Sequence, residues 1–142
     1  MASKREDILS AIKTALAETT GVSTRIYRSR TIPLAQRSQL PALIIEWSND
    51  DASLETSASS IFWSLTVTVT ILCSGDIPDQ GVDSTLLSMH SKIMNDVTLG
   101  GECMDIAPTN QAFETIDGDS PIGVMTCSYL VRYQTTTSNL DS

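Results

Sequence analysis

The sequence predicts an α+β fold, in which an antiparallel-rich, mixed β-sheet carries two α-helices packed on one face. Two segments place apolar residues at helical spacing, and two long segments alternate apolar and polar residues as strands do. The helices do not alternate regularly with the strands, which argues against a βαβ series and favours an α+β arrangement. A chain of 142 residues is expected to form one domain over residues 1–137, followed by a flexible tail at 138–142.

The first predicted element is an amphipathic helix over residues 4–19. Ser3 and Glu6 have the spacing of a capping box, in which the hydroxyl accepts from a backbone N–H and the carboxylate reaches back to the cap. Gly21 follows where a left-handed C-cap residue belongs. A single apolar stripe indicates one buried face, which consists of Ile8, Leu9, Ile12, Ala15 and Leu16.

Two strands separated by a loop are predicted next. Residues 24–30 (TRIYRSR) alternate and form a strand candidate that carries three arginines. Residues 31–40 are polar and contain a proline, which favours a loop. Residues 41–47 (PALIIEW) carry apolar side chains on both faces, which is typical of a strand inside a sheet. Residues 48–59 (SNDDASLETSAS) are then predicted to be a turn-rich connection.

The most regular pattern in the chain lies at residues 61–73 (IFWSLTVTVTILC). One face is apolar and the other carries hydroxyls, which is typical of an antiparallel strand with one face toward solvent. At about 3.3 Å per residue the segment would span roughly 43 Å, which exceeds the usual length of a strand. We therefore expect this strand to project beyond the core or to bend midway.

A second helix is predicted over residues 83–96 (DSTLLSMHSKIMND), with Asp83 as its N-cap. Gly100 and Gly101 follow this helix. Phosphate-binding loops place their glycines before a helix, where free N–H groups face the anion. The glycine pair is therefore predicted to end the helix and turn the chain. The residues that share the apolar face of the helix are Leu86, His90, Ile93, Met94 and Val97.

The remaining segments predict further strands. Residues 102–107 and 111–116 are candidates for two short strands around a turn at Pro108-Thr109-Asn110. Residues 117–121 (DGDSP) favour another turn. Residues 123–135 (GVMTCSYLVRYQT) alternate over their whole length and predict a second long strand.

No catalytic constellation is recognisable in the sequence. His90 lies in an apolar stripe, so a core or half-buried position is favoured over catalysis, which would need a nucleophile or an orienting partner nearby. Asp117-Gly118-Asp119 lacks the further oxygen ligands of a calcium loop and favours a turn. We expect neither enzyme activity, metal nor cofactor. The cysteines are odd in number and lack Cys-x-x-Cys spacing, which predicts three reduced thiols at Cys73, Cys103 and Cys127.

Charge is distributed unevenly along the chain. Residues 1–40 carry seven basic and three acidic side chains, for a net of +4, and the rest of the chain has a net of −12. Such a split suggests oppositely charged faces through which like copies could meet head to tail. The overall charge of −8 argues against nucleic acid as the main partner. The sequence predicts neither a signal peptide nor a membrane segment, which favours a cytoplasmic site of assembly.

Five segments occur in an order that resembles a known family. They are the N-terminal helix, IYRSRTIPLAQRSQLPALIIEW, the long strand ending in ILCSGD, SMHSKIMNDVTLGG and CSYLVRYQTT. Together they resemble the tail terminator and minor tail proteins of long-tailed bacteriophages over roughly residues 8–137. In that family a "PALIIE" strand, a helix running into H-x-x-I-M-x-D-x-T-L-G-G and a closing Y-L-V-R-Y-x-T strand recur in this order. The order and spacing carry the resemblance, because each motif alone consists of common residues.

The resemblance implies a structural virion protein that forms a ring, usually a hexamer, at the head-proximal end of the tail. Such a ring caps the tail tube, stops its polymerisation and offers a surface for head–tail joining. The implied partners are further copies of the chain, the tail tube protein and a head–tail connector or neck protein. The family supplies no defined site residues. The charge split predicts intersubunit contacts between basic and acidic candidates, namely Arg25, Arg28, Arg30, Arg37, Asp50, Asp51, Asp117 and Asp119.

Three alternatives remain open at the level of sequence. One is another virion component, either a connector or neck protein or a tail-tube subunit. A second is a small cytosolic module that binds a ligand or a peptide on its sheet. The third is a hydrolase that depends on His90. The acidity of the chain also predicts that a free subunit stays monomeric until docking or divalent cations offset the repulsion between copies.

Overall fold

The computed structural model describes residues 3–17, 26–28, 42–53, 60–74, 83–116, 122–136 and 140. No helix among these residues is both long and apolar enough to cross a membrane. The described ranges form two helices and five strands, in the order α1 (Lys4–Ala15), β1 (Ile26–Arg28), β2 (Ala42–Ala52), β3 (Ser60–Ser74), α2 (Asp83–Met94), β4 (Asp105–Ile116) and β5 (Ile122–Thr136).

The five strands form one mixed sheet in the order β1-β2-β3-β5-β4. β1 runs parallel to β2, and every other neighbouring pair is antiparallel. The predicted α+β class with an antiparallel-rich, mixed sheet is therefore confirmed. The register aligns one residue from each strand in a row across the sheet, and this row consists of Ile26, Leu43, Ile71, Met125 and Phe113.

Both helices pack on the same face of the sheet, which we call the inner face. Ile8 and Ile12 of α1 and Met89 and Ile93 of α2 belong to a single buried cluster with the apolar side of the central strands. Each fully buried aliphatic side chain of this kind contributes about 1.5–3 kcal/mol through its removal from water. The inner-face residues of the two long strands in this cluster are Leu65, Val67, Val69, Ile71, Cys73, Cys127, Tyr129, Val131 and Tyr133.

The start of α1 agrees with the prediction in part. The hydroxyl of Ser3 accepts from the Glu6 N–H at 3.2 Å, as an N-cap should. The Glu6 carboxylate binds the guanidinium of Arg28 with two hydrogen bonds of 3.0 Å. The helix ends at Ala15, short of the predicted 19, and residues 18–21 lie outside the described residues.

β2 extends beyond the predicted strand into the segment that was expected to be a turn-rich connection. It runs to Ala52, and a β-bulge shifts its register against β3 between Trp47 and Asn49. Before the bulge Trp47 follows Leu43 in the inner-face alternation, and after it Asp50 pairs with the inner-face residue Leu65. One extra residue therefore places both Trp47 and Asp50 on the inner face.

The prediction of two short strands in the region of β4 is wrong. Asp105–Ile116 is a single strand paired with β5, where the sequence had predicted two short strands around a turn. The segment Pro108-Thr109-Asn110 forms a register shift within the strand instead of a turn. A proline fits there because β4 lies at the edge of the sheet, where one side of the strand needs no ladder hydrogen bonds.

The two long strands confirm the alternating patterns. β3 and β5 pair without a register shift from Ser60 opposite Thr136 to Ser74 opposite Ile122. The face opposite the helices, here called the outer face, carries the half-buried hydroxyls of Thr66, Thr68 and Thr70. β3 thus keeps its pairing with β5 over its full length.

Candidate functional site

α2 ends at Met94, six residues before Gly100, so the glycine pair does not end the helix as predicted. The pair lies in the turn that follows, and a carboxylate shapes this turn. Asp96 accepts hydrogen bonds from the Thr98 N–H at 3.1 Å, the Thr98 hydroxyl at 2.7 Å and the Gly100 N–H at 2.9 Å. These donors, the Thr98 side chain above all, lower the pKa of Asp96. Leu99, Gly100 and Gly101 have φ angles of 52°, 71° and 96°. The left-handed backbone at Leu99 is held by the burial of its side chain in the core.

His90 is half-buried, as predicted, and joins α2 to β5. Its Nδ1 lies 3.0 Å from the hydroxyl of Tyr129, and the two rings stack at 6.0 Å. Burial, together with Cys127, raises the pKa of Tyr129, so its hydroxyl keeps its proton and can donate to the histidine. The pair links α2 to β5, and a hydroxyl held in its protonated form is a weak nucleophile.

The three cysteines are free and buried, which confirms the prediction of reduced thiols. Burial raises the pKa of Cys103 to about 12 and that of Cys127 to about 11. Since the thiolate is the reactive form, neither thiol is activated for nucleophilic chemistry at neutral pH.

Asp50 forms the centre of a polar cluster beneath the start of α1. Its side chain is only 5% exposed, and its Oδ2 accepts from the Tyr133 hydroxyl and lies 3.5 Å from the Arg5 guanidinium. Arg5 also lies over the ring of Trp47, at 4.1 Å from the ring centre. Trp63 stacks on Tyr133, with ring centres 6.4 Å apart. This arrangement ties α1, β2, β3 and β5 together at one end of the sheet.

The charged residues of the described ranges form several ion pairs within the chain. Lys4 binds Glu102 at 3.1 Å, and Arg132 of β5 binds Asp105 of β4. Arg28 binds Glu6, as described above. Basic side chains of the N-terminal third therefore neutralise acidic groups of the same molecule, in addition to any role between copies.

The predicted intersubunit residues fall into two groups. Arg28 and Asp50 have the partners within the chain just described, and Asp51 is exposed on β2. The contact of these residues with a neighbouring copy stays a prediction. The other candidates, Arg25, Arg30, Arg37, Asp117 and Asp119, lie outside the described residues.

An open groove of about 840 Å³ lies between the two helices. Its walls combine polar residues of both helices, among them Asp7 and Lys92, with the apolar side chains of Ala11, Ala15 and Leu99. A small-molecule site is more often lined by apolar and aromatic side chains with a few polar groups. The described part of the chain also holds no group of three or more His, Cys, Asp or Glu residues placed to bind a metal ion.

The most exposed regular element is β4, whose outer side we call the β4 edge. Every residue from Ala107 to Thr115 is exposed, on both faces of the strand. Phe113 on its inner face is 37% exposed, whereas Ile71 in the same row of the sheet is 0% exposed. Within the described sheet β4 pairs only with β5, so its other side presents unpaired backbone groups. Sequence reasoning missed this surface because it divided β4 into two short strands.

Comparisons with solved structures show a weak similarity of fold. No protein-family model and no curated protein matches the chain. A chain in the structure titled "Virion of native gene transfer agent (GTA) particle" superposes with a TM-score of 0.48 and 8% sequence identity. The match covers 94% of this chain and 92% of that chain. At this TM-score the similarity assigns neither a family nor a function.

Proposed function

We propose that this protein is a structural component of a phage-like virion and acts as a tail terminator. Copies of the chain assemble head to tail into a ring, usually a hexamer in the family that the sequence resembles. The ring docks on the last ring of the tail tube and covers the surface that another tube subunit would need. Its opposite side is then available to a head–tail connector.

The observation that carries the proposal is that the family-like motifs form strands and a helix that pack against one another. Among the described residues these motifs become β2, α2 with its terminal turn, and β5, which pack together. Their polar residues hold these elements in place, since His90 meets Tyr129, Asp96 shapes the turn, and Tyr133 donates to Asp50. The motif residues thus stabilise the fold. The proposed function would then depend on contacts that the surface of this fold makes with other subunits.

Electrostatic attraction between copies is part of the proposed mechanism. The arginines at 25, 28, 30 and 37 would lie near acidic residues of the neighbouring copy. Charge reversal at Arg28 tests this, but it also removes the pair with Glu6 inside the chain. Glu6→Gln is the matched control because it breaks the same pair and leaves the arginine in place.

Arg28→Glu is expected to weaken ring formation at least tenfold at low salt, and Glu6→Gln is expected to change it less than twofold. The difference should shrink as salt rises through the range where screening removes exposed charge pairs. Sedimentation velocity at two salt concentrations provides the measurement. Equal assembly by Arg28→Glu and Glu6→Gln would remove Arg28 from the interface.

Electron microscopy and mass photometry of the purified chain test the proposed function directly. A terminator should give single rings of uniform diameter, alone or on mixing with its tail tube protein, and the rings should cap the tubes and stop their growth. Long tubes formed by the chain alone would identify a tail-tube subunit. A chain that stays monomeric with tube protein and with Mg²⁺ would overturn the proposal.

A further inference from the structure

The sheet ends in two strands that lie at opposite sides of the molecule, β1 and β4. Following the pairings across the sheet, β1 and β2 run one way, β3 the other, β5 back, and β4 in the direction of β3. β4 is therefore antiparallel to β1. If a second copy is placed beside the first in the same orientation, its β1 meets the β4 edge as an antiparallel neighbour, with the helices of both copies on one side.

The strand register aligns the residues of β1 with residues in the middle of β4, at the same level along the strand direction. Tyr27 aligns through Ile44, Thr70 and Thr126 with Ala112 of β4. Ile26 aligns in the same way with Phe113, and Arg28 with Gln111. Continuing the sheet in its own plane brings the three residues of β1 opposite 111–113 of the next copy, at the exposed part of β4.

Charge favours this pairing over the pairing of β4 with itself. Residues 22–41, which include β1, contain four arginines and no acidic residue. Residues 105–121, which include β4, contain four acidic residues and no basic residue. Two β4 strands side by side would repel, whereas β4 beside β1 places opposite charges together. The attraction is directional, so it favours a head-to-tail contact of the kind that closes a ring.

The exposed apolar surface of β4 also favours pairing with β1 of a second copy. Phe113 lies at the free end of a row whose next inner-face members, Met125 and Ile71, are packed in the core. An additional strand beside β4 would cover its ring and pair the free backbone groups of the edge.

From these observations we infer that copies of this chain join by continuing the sheet, with β4 of one copy antiparallel to β1 of the next. The inference rests on the proposed function, because it supplies the contact by which the ring closes. The ring is then a continuous sheet with all its helices on one side. The β4 edge, which no described residue of the single chain covers, is paired at every interface.

Disulfide trapping tests the pairing. Tyr27→Cys is combined in one chain with Asn110→Cys, Ala112→Cys or Glu114→Cys, which lie on the same face of β4 and cover a register error of one pair in each direction. Opposed residues of an antiparallel pair have Cα atoms about 4.5–5.5 Å apart, which suits a disulfide. Mild oxidation of rings should give covalent oligomers for one or two of the three double variants, and none for the four single variants.

A single cysteine on β4 that forms covalent dimers, without trapping of the Tyr27→Cys combinations, would show β4 pairing with itself and overturn the inference. Rings that no combination traps would also overturn it, while leaving the proposed function intact. Absence of rings for the unmodified chain would overturn the proposed function and the inference with it.

Hydrogen exchange on the unmodified protein provides a second measurement that needs no substitution. Peptides from 105–116 should exchange at least tenfold more slowly in purified rings than in monomer. Peptides from 65–71, inside the sheet in both states, serve as the control and should be unchanged. Equal exchange of the β4 peptides in rings and monomer would overturn the inference.

Discussion

The end of the sheet around Asp50 and the β4 edge differ in how their polar groups are covered. At Asp50, the side chain is removed from water and its Oδ2 receives partners from α1 and β5. Along β4, backbone and side chains from 107 to 115 remain exposed, and the described part of the chain covers neither face. The first region stabilises the subunit by itself. The second leaves a strand edge exposed among the described residues, and this exposure supports the proposed assembly.

The largest contrast is expected from large-to-small substitutions in one row of the sheet. Ile71→Ala removes a fully buried side chain and should cost about 2–5 kcal/mol of unfolding free energy. Phe113→Ala in the same row should cost less than about 1 kcal/mol in the monomer, because the ring is already partly in water. Urea denaturation of monomeric protein measures both. A cost at Phe113 equal to that at Ile71 would mean that β4 is already covered in the free chain.

In the assembled state, Phe113→Ala should have a large effect on ring formation although its effect on monomer stability is small. If β4 pairs with β1 of the next copy in the ring, Phe113→Ala weakens ring formation while leaving the stability of the monomer nearly unchanged. Mass photometry over a dilution series measures this effect. An unchanged midpoint of dissociation would place Phe113 outside the interface.

The second prediction concerns the buried carboxylate. Tyr133→Phe removes the hydroxyl that donates to Asp50, and Oδ1 of Asp50 has no hydrogen-bond partner among the described residues. The substitution should cost roughly 1–3 kcal/mol, because a buried acceptor is left unsatisfied. Asp50→Ala removes the acceptor of this hydrogen bond, and a double-mutant cycle with Tyr133→Phe measures the coupling between the two side chains. Costs that simply add would show that the two side chains do not interact.

The sequence predicted the elements whose signals are local. The alternation in 61–73 and 123–135 identified β3 and β5, and helical spacing identified α1 and α2. These patterns are visible because one buried face imposes a period on consecutive residues. The glycine pair was correctly predicted to turn the chain, but not to end α2, because the helix already stops at Met94.

The sequence did not predict features that depend on distant partners. The bulge after Trp47 breaks the alternation of β2, so SNDDA has the composition of a loop although it pairs with β3. Pro108 and Asn110 resemble a turn, and only the long pairing partner β5 makes the segment a strand. The contact of Asp50 with Tyr133 joins residues far apart in sequence. No local pattern encodes that contact, and the opposite placement of β1 and β4 is likewise a property of strand order.

The third prediction compares the reactivity of the buried native thiols with that of a thiol introduced on β4. With pKa values raised to about 12 and 11 by burial, Cys103 and Cys127 are ionised to roughly 0.1% or less at pH 8. The native protein should therefore react slowly with a soluble thiol reagent, and all three cysteines should react in urea. Ala112→Cys on the exposed β4 should add one rapidly reacting thiol. Fast labelling of the unmodified native chain would contradict the buried placement of its cysteines.

The smallest effect is expected from the exposed pair between Glu6 and Arg28. Its two hydrogen bonds and the Arg28 charge hold the pKa of Glu6 below its usual value of 4.5, although partial burial opposes the shift. A lowered folded-state pKa means that the contribution to stability is present above the unfolded pKa. It is then lost as the pH falls from about 4.5 through the folded value. The contribution should be only a few tenths of a kcal/mol, because solvent screens exposed pairs.

Urea denaturation of wild type and Glu6→Gln at pH 7 and pH 3 measures this contribution. The variant should be slightly less stable at pH 7, and the difference should shrink at pH 3, where Glu6 is protonated in the unfolded chain and increasingly so in the folded one. Added salt should reduce the difference at pH 7. A difference that persists unchanged at pH 3 would show that packing of the side chain, and not its charge, determines its effect. Because Arg28 belongs to β1, that outcome would also weaken the use of Glu6→Gln as a charge control for the interface.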